Sequence, residues 1–187
     1  MSSPFHRLLT FFARRSPTPN NQTITFLDSL RGDLSIGLNF PVALFLAATR
    51  HVIFRNTGFF SLQIHVPTVQ TSRALLGGPE KFEFDVKRRY GVVELVGEVR
   101  RQGGKWMEVA DAVGCWGLVA RRDGTVRGEE VRAYQRGEIM EMVAERRKGR
   151  GDVLPFWRGG PIIVSAHSWA VEKLLGVEVY KKDHKSD

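Results

Sequence analysis

The stretch Gly91–Gly114, GVVELVGEVRRQGGKWMEVADAVG, decides how the chain around it is read. It reads as two strands joined at Gly103-Gly104, a dipeptide that marks a tight hairpin. Just upstream, KFEFDVKRR (81–89) alternates strictly between polar and apolar residues. TGFFSLQIHVP (57–67) is the clearest strand pattern. Phe60, Leu62, Ile64 and Val66 fall on one face, and Phe59, Ser61, Gln63 and His65 on the other. Downstream, CWGLVARRDG (115–124) reads as a further strand closing on an Asp-Gly turn. QTITFLDSL (22–30), PIIVSA (161–166) and VEVYKK (177–182) complete the expected strands.

Helical patterns are fewer. FPVALFLAATRH (40–51) places Pro41 where the first turn of a helix tolerates it. TVQTSRALL (68–76) reads as a short helix capped by Thr68 and stopped by Gly77-Gly78. The longest candidate is 129–149, with Glu129 and Glu130 at its start and Arg146, Arg147 and Lys148 at its end, as the helix dipole favours. Gly137 weakens or splits it, and HSWAVEKLL (167–175) is a last short helix. The expected fold is therefore α+β: a mostly antiparallel, barrel-like sheet with short flanking helices. Residues 22–187 would form that domain, after an N-terminal segment (1–21) that is either flexible or a targeting segment.

Composition narrows the function classes. The chain has 187 residues, 42% of them hydrophobic and 26% charged, as in ordinary globular domains. No apolar run approaches the ~20 residues that span a bilayer; the longest is FPVALFLAA (40–48). A single cysteine, Cys115, excludes an intrachain disulfide and a thiolate metal cluster, and beside Trp116 it reads as buried and inert. The net charge is +8, but it is dispersed: the densest segment, 121–150, holds nine Arg/Lys against six Asp/Glu. Without a basic stripe interleaved with aromatics, the charge argues against a nucleic-acid partner. Arg7, Arg14 and Arg15 precede the first acid, Asp28, so the N-terminus resembles a mitochondrial presequence. A cytoplasmic location is expected, with a mitochondrial one as the alternative. No phosphate-cradling loop, nucleophile elbow or histidine pair at ligand spacing is present, so neither cofactor nor metal is expected.

FFSLQIHVPTVQTSRALLGGPEKFEFDV (59–86), followed by YGVVELVGEVRRQGGKWMEVADAVG (90–114) and later by PIIVSAHSWAVEKLLGVEVY (161–180), resembles the acetoacetate decarboxylase family. The resemblance covers a little under half of the chain and implies an antiparallel barrel enclosing a small-molecule cavity, usually in an oligomer. In that family a lysine directly after the turn proline forms a Schiff base with a β-keto acid, and a neighbouring lysine lowers its pKa. The run from Arg73 to Pro79 keeps the family spacing, but the Schiff-base position is Glu80 and the pKa-lowering position is Lys81. Lys81, Glu83 and Asp85 fall on one strand face, opposite Phe82, Phe84 and Val86, so Lys81 does not replace the nucleophile by alternation.

Glu80, placed in an apolar cavity, would have a raised pKa suited to general acid–base work. The expectation is a lyase, isomerase or cyclase of secondary metabolism, acting on a β-keto or polyketide-like acid without an imine. Glu80 and Lys81 are its catalytic candidates, and Arg73, His65 and His167 its substrate-binding candidates. A surface glutamate paired with Arg73 or Lys81 is the plainer reading of the same turn. The alternative function is a non-catalytic barrel that binds a small ligand, or docks an anionic partner or lipid surface through 129–149 and the N-terminal segment. Glu94 and Glu98 would lie roughly 13 Å apart on a strand, too far for an acid–base pair.

Overall fold

Gly91–Gly114 is helical. In the computed structural model, which describes residues 3–19, 22–58, 61–70, 75–76, 78 and 81–181, it forms most of α4 (Val92–Arg101) and α5 (Trp106–Val119). Its N-terminal ends carry the reason. The Glu94 carboxylate accepts the backbone N–H of Gly91 at 2.8 Å, and that of Glu108 accepts the N–H of Lys105 at 3.0 Å. Each acid satisfies a donor that a helix start would otherwise leave orphaned. Gly103-Gly104 ends α4 rather than turning a hairpin: Gly103 has φ +82°, and the N–H groups of the two glycines donate to Arg100 and Val99. Leu95 and Val99 are buried one turn apart, as are Ala112, Cys115 and Val119, whereas Val93 is exposed.

The expected barrel is thus corrected. Among the described residues 57% are helical and 5% in strands, with two small two-stranded sheets and no closed barrel. β1 (Thr23–Ile24) pairs antiparallel with β2 (Ile64–His65), and β3 (Arg89–Tyr90) with β4 (Val126–Arg127). QTITFLDSL turns into α2 (Phe26–Ser35) at Thr25, whose N–H donates to Asp28 at 2.9 Å. PIIVSA runs into α8 (Val164–Leu175), and 115–119 completes α5. The alternation sorts the sides as far as Asp85: Phe82 and Phe84 are buried and Lys81, Glu83 and Asp85 exposed, whereas Val86, expected beside the two phenylalanines, is exposed. Side chains replace the neighbouring strand there. Gln102 accepts the N–H of Glu83 at 2.8 Å and donates to its carbonyl at 2.7 Å. Arg132 donates to the Phe84 carbonyl at 3.0 Å, Gln135 to that of Phe82 at 3.1 Å, and the Asp85 N–H to the Tyr90 hydroxyl at 3.0 Å.

The helical expectation at 40–51 appears as α3 (Phe40–Phe54), capped by the Asn39 side chain on the Val42 N–H at 3.0 Å. The long candidate splits at Gly137 (φ +74°) into α6 (Gly128–Gln135) and α7 (Ile139–Lys148). α1 (Pro4–Ala13) covers the amphipathic N-terminal run, and Leu9, Phe11, Phe12 and Ala13 are buried.

The chain divides into two compact units: Met1–Phe11 with Val66–Glu141, and Phe12–His65 with Met142–Asp187. The first holds α4, α5, α6 and the β3–β4 pair, around Phe82, Phe84, Tyr90, Leu95, Val99, Cys115 and Val131. The second holds α2, α3, α8 and the β1–β2 pair, around Ile24, Leu34, Ile36, Ala43, Ala47, Ile64 and Val179. In the first unit a Cβ on Gly128 would lie 1.8 Å from the carbonyl oxygen of Asp85, a contact that backbone must move to relieve. Gly128→Ala is expected to lower stability in urea unfolding by about 2–3 kcal/mol. Gly97→Ala on the exposed side of α4, where a Cβ meets nothing within 4 Å, should instead raise it by about 1 kcal/mol.

Candidate functional site

The expected site residues do not assemble as one centre. Arg73 and Glu80 lie outside the described residues. Lys81 is exposed, and its ammonium pairs with the Glu108 carboxylate, which that contact holds below the usual carboxylate range. His65 sits half-buried in β2; its backbone N–H and carbonyl are both bonded to the Asn56 amide, at 2.7 and 2.9 Å. His167 lies in α8, where burial pushes its imidazole down against the pull of the Leu38 backbone. Its Nε2 is buried without a hydrogen-bond partner among the described residues. Lys81 belongs to the first unit, and His65 and His167 to the second.

The two leucines before the glycine-proline stretch are held by a residue the sequence reading passed over. Leu75 and Leu76 both adopt left-handed backbone, at φ +73° and +51°. The Leu76 N–H donates to Asp111 Oδ2, and Asp111 Oδ1 accepts the Tyr134 hydroxyl at 2.6 Å. Burial pushes the Asp111 carboxyl up, so this is a structural clamp rather than a solvated charge. A charged cleft of about 560 Å³ lies nearby in the same unit, lined by Glu83, Asp85, Arg88, Glu98, Arg101 and Arg132 among others. Within it Arg101 grips Glu98, Arg132 holds the Phe84 carbonyl at 3.0 Å, and Arg88 reaches Glu94 at 3.5 Å.

The second unit carries the more unusual arrangement. α2 buries its polar residues: Asp28, Ser29, Asp33 and Ser35 are buried while Leu27 is exposed. Asp28 is held by Thr25 and Ser35 by the Gly32 carbonyl, while the partners of Ser29 and Asp33 come from α3. Arg50 grips Asp33 with two bonds of 3.0 and 2.9 Å and stacks its guanidinium 3.7 Å from the centre of the Phe12 ring. Burial raises the Asp33 carboxyl, against the opposing pull of Arg50. His51, also buried, donates from Nδ1 to the Leu62 carbonyl. Its Nε2 must then accept, and takes the Ser29 hydroxyl proton at 2.8 Å. Burial holds this imidazole down, in keeping with a neutral ring. Ser29 is fully buried, so the Ser–His pair supports packing and presents no accessible nucleophile.

With Arg50 and His51 turned inward to α2, α3 shows a largely apolar exterior. Phe40, Leu44, Phe45, Ala48, Val52 and Ile53 are exposed along one side, at helical spacing, with Phe45 67% and Val52 65% accessible. A second exposed apolar group adjoins the start of this helix. The Asn39 N–H donates to the Gly159 carbonyl at 2.6 Å and its side-chain amide to that of Gly160 at 3.1 Å. Those bonds hold the segment bearing Phe156, Trp157, Ile162 and Ile163; Trp157 is 72% and Ile162 79% accessible. Trp169 and Leu174 are exposed on α8 in the same unit. Single exposed apolar residues are ordinary, but two adjoining groups of them mark a contact surface. This unit also holds 14 Arg/Lys against 8 Asp/Glu, so +6 of the chain's +8 resides in it. The signal available beforehand was the composition of 40–54, where only Thr49, Arg50 and His51 are polar.

No family model matches the chain, and neither a curated protein nor a solved structure shows significant similarity to it.

Two outcomes follow from the α2–α3 contact. Arg50→Met leaves the buried Asp33 carboxylate without its cation and is expected to cost about 3–5 kcal/mol in chemical denaturation. Combining it with Asp33→Leu should recover most of that loss. His51 and His167 are both held below the ordinary value of 6.5, so in acid the unfolded chain binds more protons than the folded one. Their contribution is full above that value and falls as the pH drops through it. Tm should therefore be flat above about pH 7 and decline as the pH falls below about 6.5, and a His51→Gln/His167→Gln double variant should flatten that slope.

Proposed function

We propose that the protein docks on a lipid surface through its second unit, with the outer side of α3 lying in the membrane interface. The exposed apolar side of α3 carries this reading, because its opposite side is already covered by the unit's own core. Fifteen residues make a helix about 22 Å long, short of the ~30 Å hydrocarbon layer. Among the described residues, no helix is long and apolar enough to cross a membrane. A helix lying in the plane needs no such length, since its apolar side enters the boundary between headgroups and acyl chains. Trp157 and Trp169 suit that depth, because an indole offers both an apolar body and a polar N–H. The +6 charge of the unit adds attraction to anionic headgroups, which salt screens.

A second copy of the chain is the other occupant that the same surface would accept, in line with the expected oligomer. The barrel expected to enclose Glu80 is absent among the described residues, and Glu80 itself lies outside them.

Flotation with vesicles tests the reading. The protein is expected to float with phosphatidylcholine vesicles and more strongly when phosphatidylserine is included, with only the increment lost at high salt. Phe45→Glu/Val52→Glu should weaken partitioning at least ~10-fold, because each buried apolar side chain contributes about 1.5–3 kcal/mol, while the circular dichroism stays helical. Absence of flotation with either vesicle, or flotation unchanged in the variant, overturns the lipid reading. A dimer in light scattering that the same variant dissociates would assign the surface to a second copy.

A further inference from the structure

The connection between α5 and α6 carries the spacing of the closing half of a calcium loop, and its last carboxylate is bonded to an arginine. Asp123-Gly124 is followed by five residues and then Glu130, which is the closing part of the D-x-[DN]-x-[DN]-G-x₅-E pattern. On that register the twelve-residue loop runs from Val119 to Glu130. The structure keeps several of its requirements. It is flanked by helices, Trp106–Val119 and Gly128–Gln135. Gly124, at the sixth position, takes the left-handed backbone (φ +77°) that the sharp turn needs. Val126 pairs antiparallel with Tyr90, tying the loop to a neighbouring segment, and the Gly128 N–H donates to the Arg88 carbonyl at 2.9 Å.

The ligand positions are different. A calcium loop places oxygen ligands at its first, third and fifth positions and a bidentate glutamate at the twelfth. Here the first position is Val119, which is fully buried, and the third is Arg121. Glu130, at the twelfth, is buried, and its two oxygens are occupied. Oε1 accepts from the Arg121 guanidinium at 3.0 Å and Oε2 from the Arg127 N–H at 2.9 Å. Asp123, at the fifth, turns Oδ1 to the N–H and hydroxyl of Thr125 at 2.9 and 2.8 Å, and Oδ2 to Arg89 at 3.1 Å. Two of the expected carboxylates are gone, and the two that remain are neutralised by guanidinium groups. Among the described residues, no group of three or more His, Cys, Asp or Glu could hold a metal ion.

We propose that the Arg121 guanidinium replaces the divalent cation in this loop, so that the first unit keeps the arrangement of α5 and α6 without metal. A buried carboxylate needs a positive partner, and a calcium loop normally borrows one from solution. Arg121 builds it into the chain. The guanidinium meets the Glu130 carboxylate with a single charge, where a divalent ion would need further carboxylates around it. That matches a loop in which Arg121 holds Glu130 and Asp123 is held separately by Arg89.

Terbium provides the test, because Trp116 donates its indole N–H to the Gly124 carbonyl at 2.8 Å and so sits within energy-transfer range of any ion in the loop. The wild-type protein is expected to give no tryptophan-sensitised terbium emission that calcium displaces, and no calcium-dependent change in Tm. Val119→Asp/Arg121→Asp restores the missing carboxylates and should gain both. If that variant unfolds without metal, recovery of its helical circular dichroism in millimolar calcium is the same positive result. Arg121→Met, which removes the guanidinium from the buried Glu130 carboxylate, should lower the folding equilibrium by about two to three orders of magnitude. Calcium-displaceable emission from the wild type overturns the proposal. So does an Arg121→Met protein as stable as the wild type, or a double variant that neither emits nor recovers.

Discussion

Four helices, one in the second unit and three in the first, begin on one kind of contact. Asp28, Glu94, Glu108 and Glu130 each stand at the third helical position and accept the backbone N–H of the residue before the helix, at 2.9, 2.8, 3.0 and 2.9 Å. Each contact contributes about 1 kcal/mol to a helix start, and the carboxylate also faces the positive end of the helix dipole. In segments as rich in valine and glycine as 91–119, such a contribution is enough to weigh against the β propensity of the valines. Because 81–86 is left extended without a strand beside it, Gln102, Arg132 and Gln135 must supply its backbone partners, which ties α4 and α6 to that segment.

Charge burial is handled the same way in each unit. Asp33 is gripped by Arg50 in one and Glu130 by Arg121 in the other, each carboxylate lying within its own unit's interior. Such pairs are weak contributors to net stability, yet removing either partner is costly, so they fix which side of a helix faces inward. In the second unit that choice shapes the surface. Once Arg50 and His51 turn toward α2, Thr49 is the one polar residue of α3 left before Arg55. The exposed apolar side is therefore coupled to a buried polar one, and the two halves of the proposed docking unit depend on each other.

The first unit shows the complementary economy. A loop of the calcium type is held by charges within the chain, and an aromatic pair, Phe84 with Tyr90 at 5.9 Å and 87°, packs beneath its paired strand. Neither the loop nor the docking surface involves the residues that the decarboxylase-like spacing singled out. Of that turn the structure describes Leu75, Leu76 and Gly78, held from below by Asp111 and Gln135.

The sequence by itself determined whatever rests on a local rule. Asn39 and Pro41 start α3, Gly137 divides α6 from α7, and Cys115 is buried. Phe82 and Phe84 fall on the inward side of an extended segment, because alternation sorts side chains whether or not a partner strand is present. It did not determine the state of Gly91–Gly114, where valines at mixed spacing fit both periods and a Gly-Gly pair serves a hairpin and a helix end alike. The fold resolved that ambiguity through burial: Leu95 and Val99 reach the core one helical turn apart, and Val93 is left in solvent. The pairings Asp33–Arg50, Ser29–His51 and Asp111–Tyr134 span 17 to 23 residues of chain. No periodicity encodes such contacts, and only tertiary packing decides which polar groups are buried together and which apolar side is left facing out.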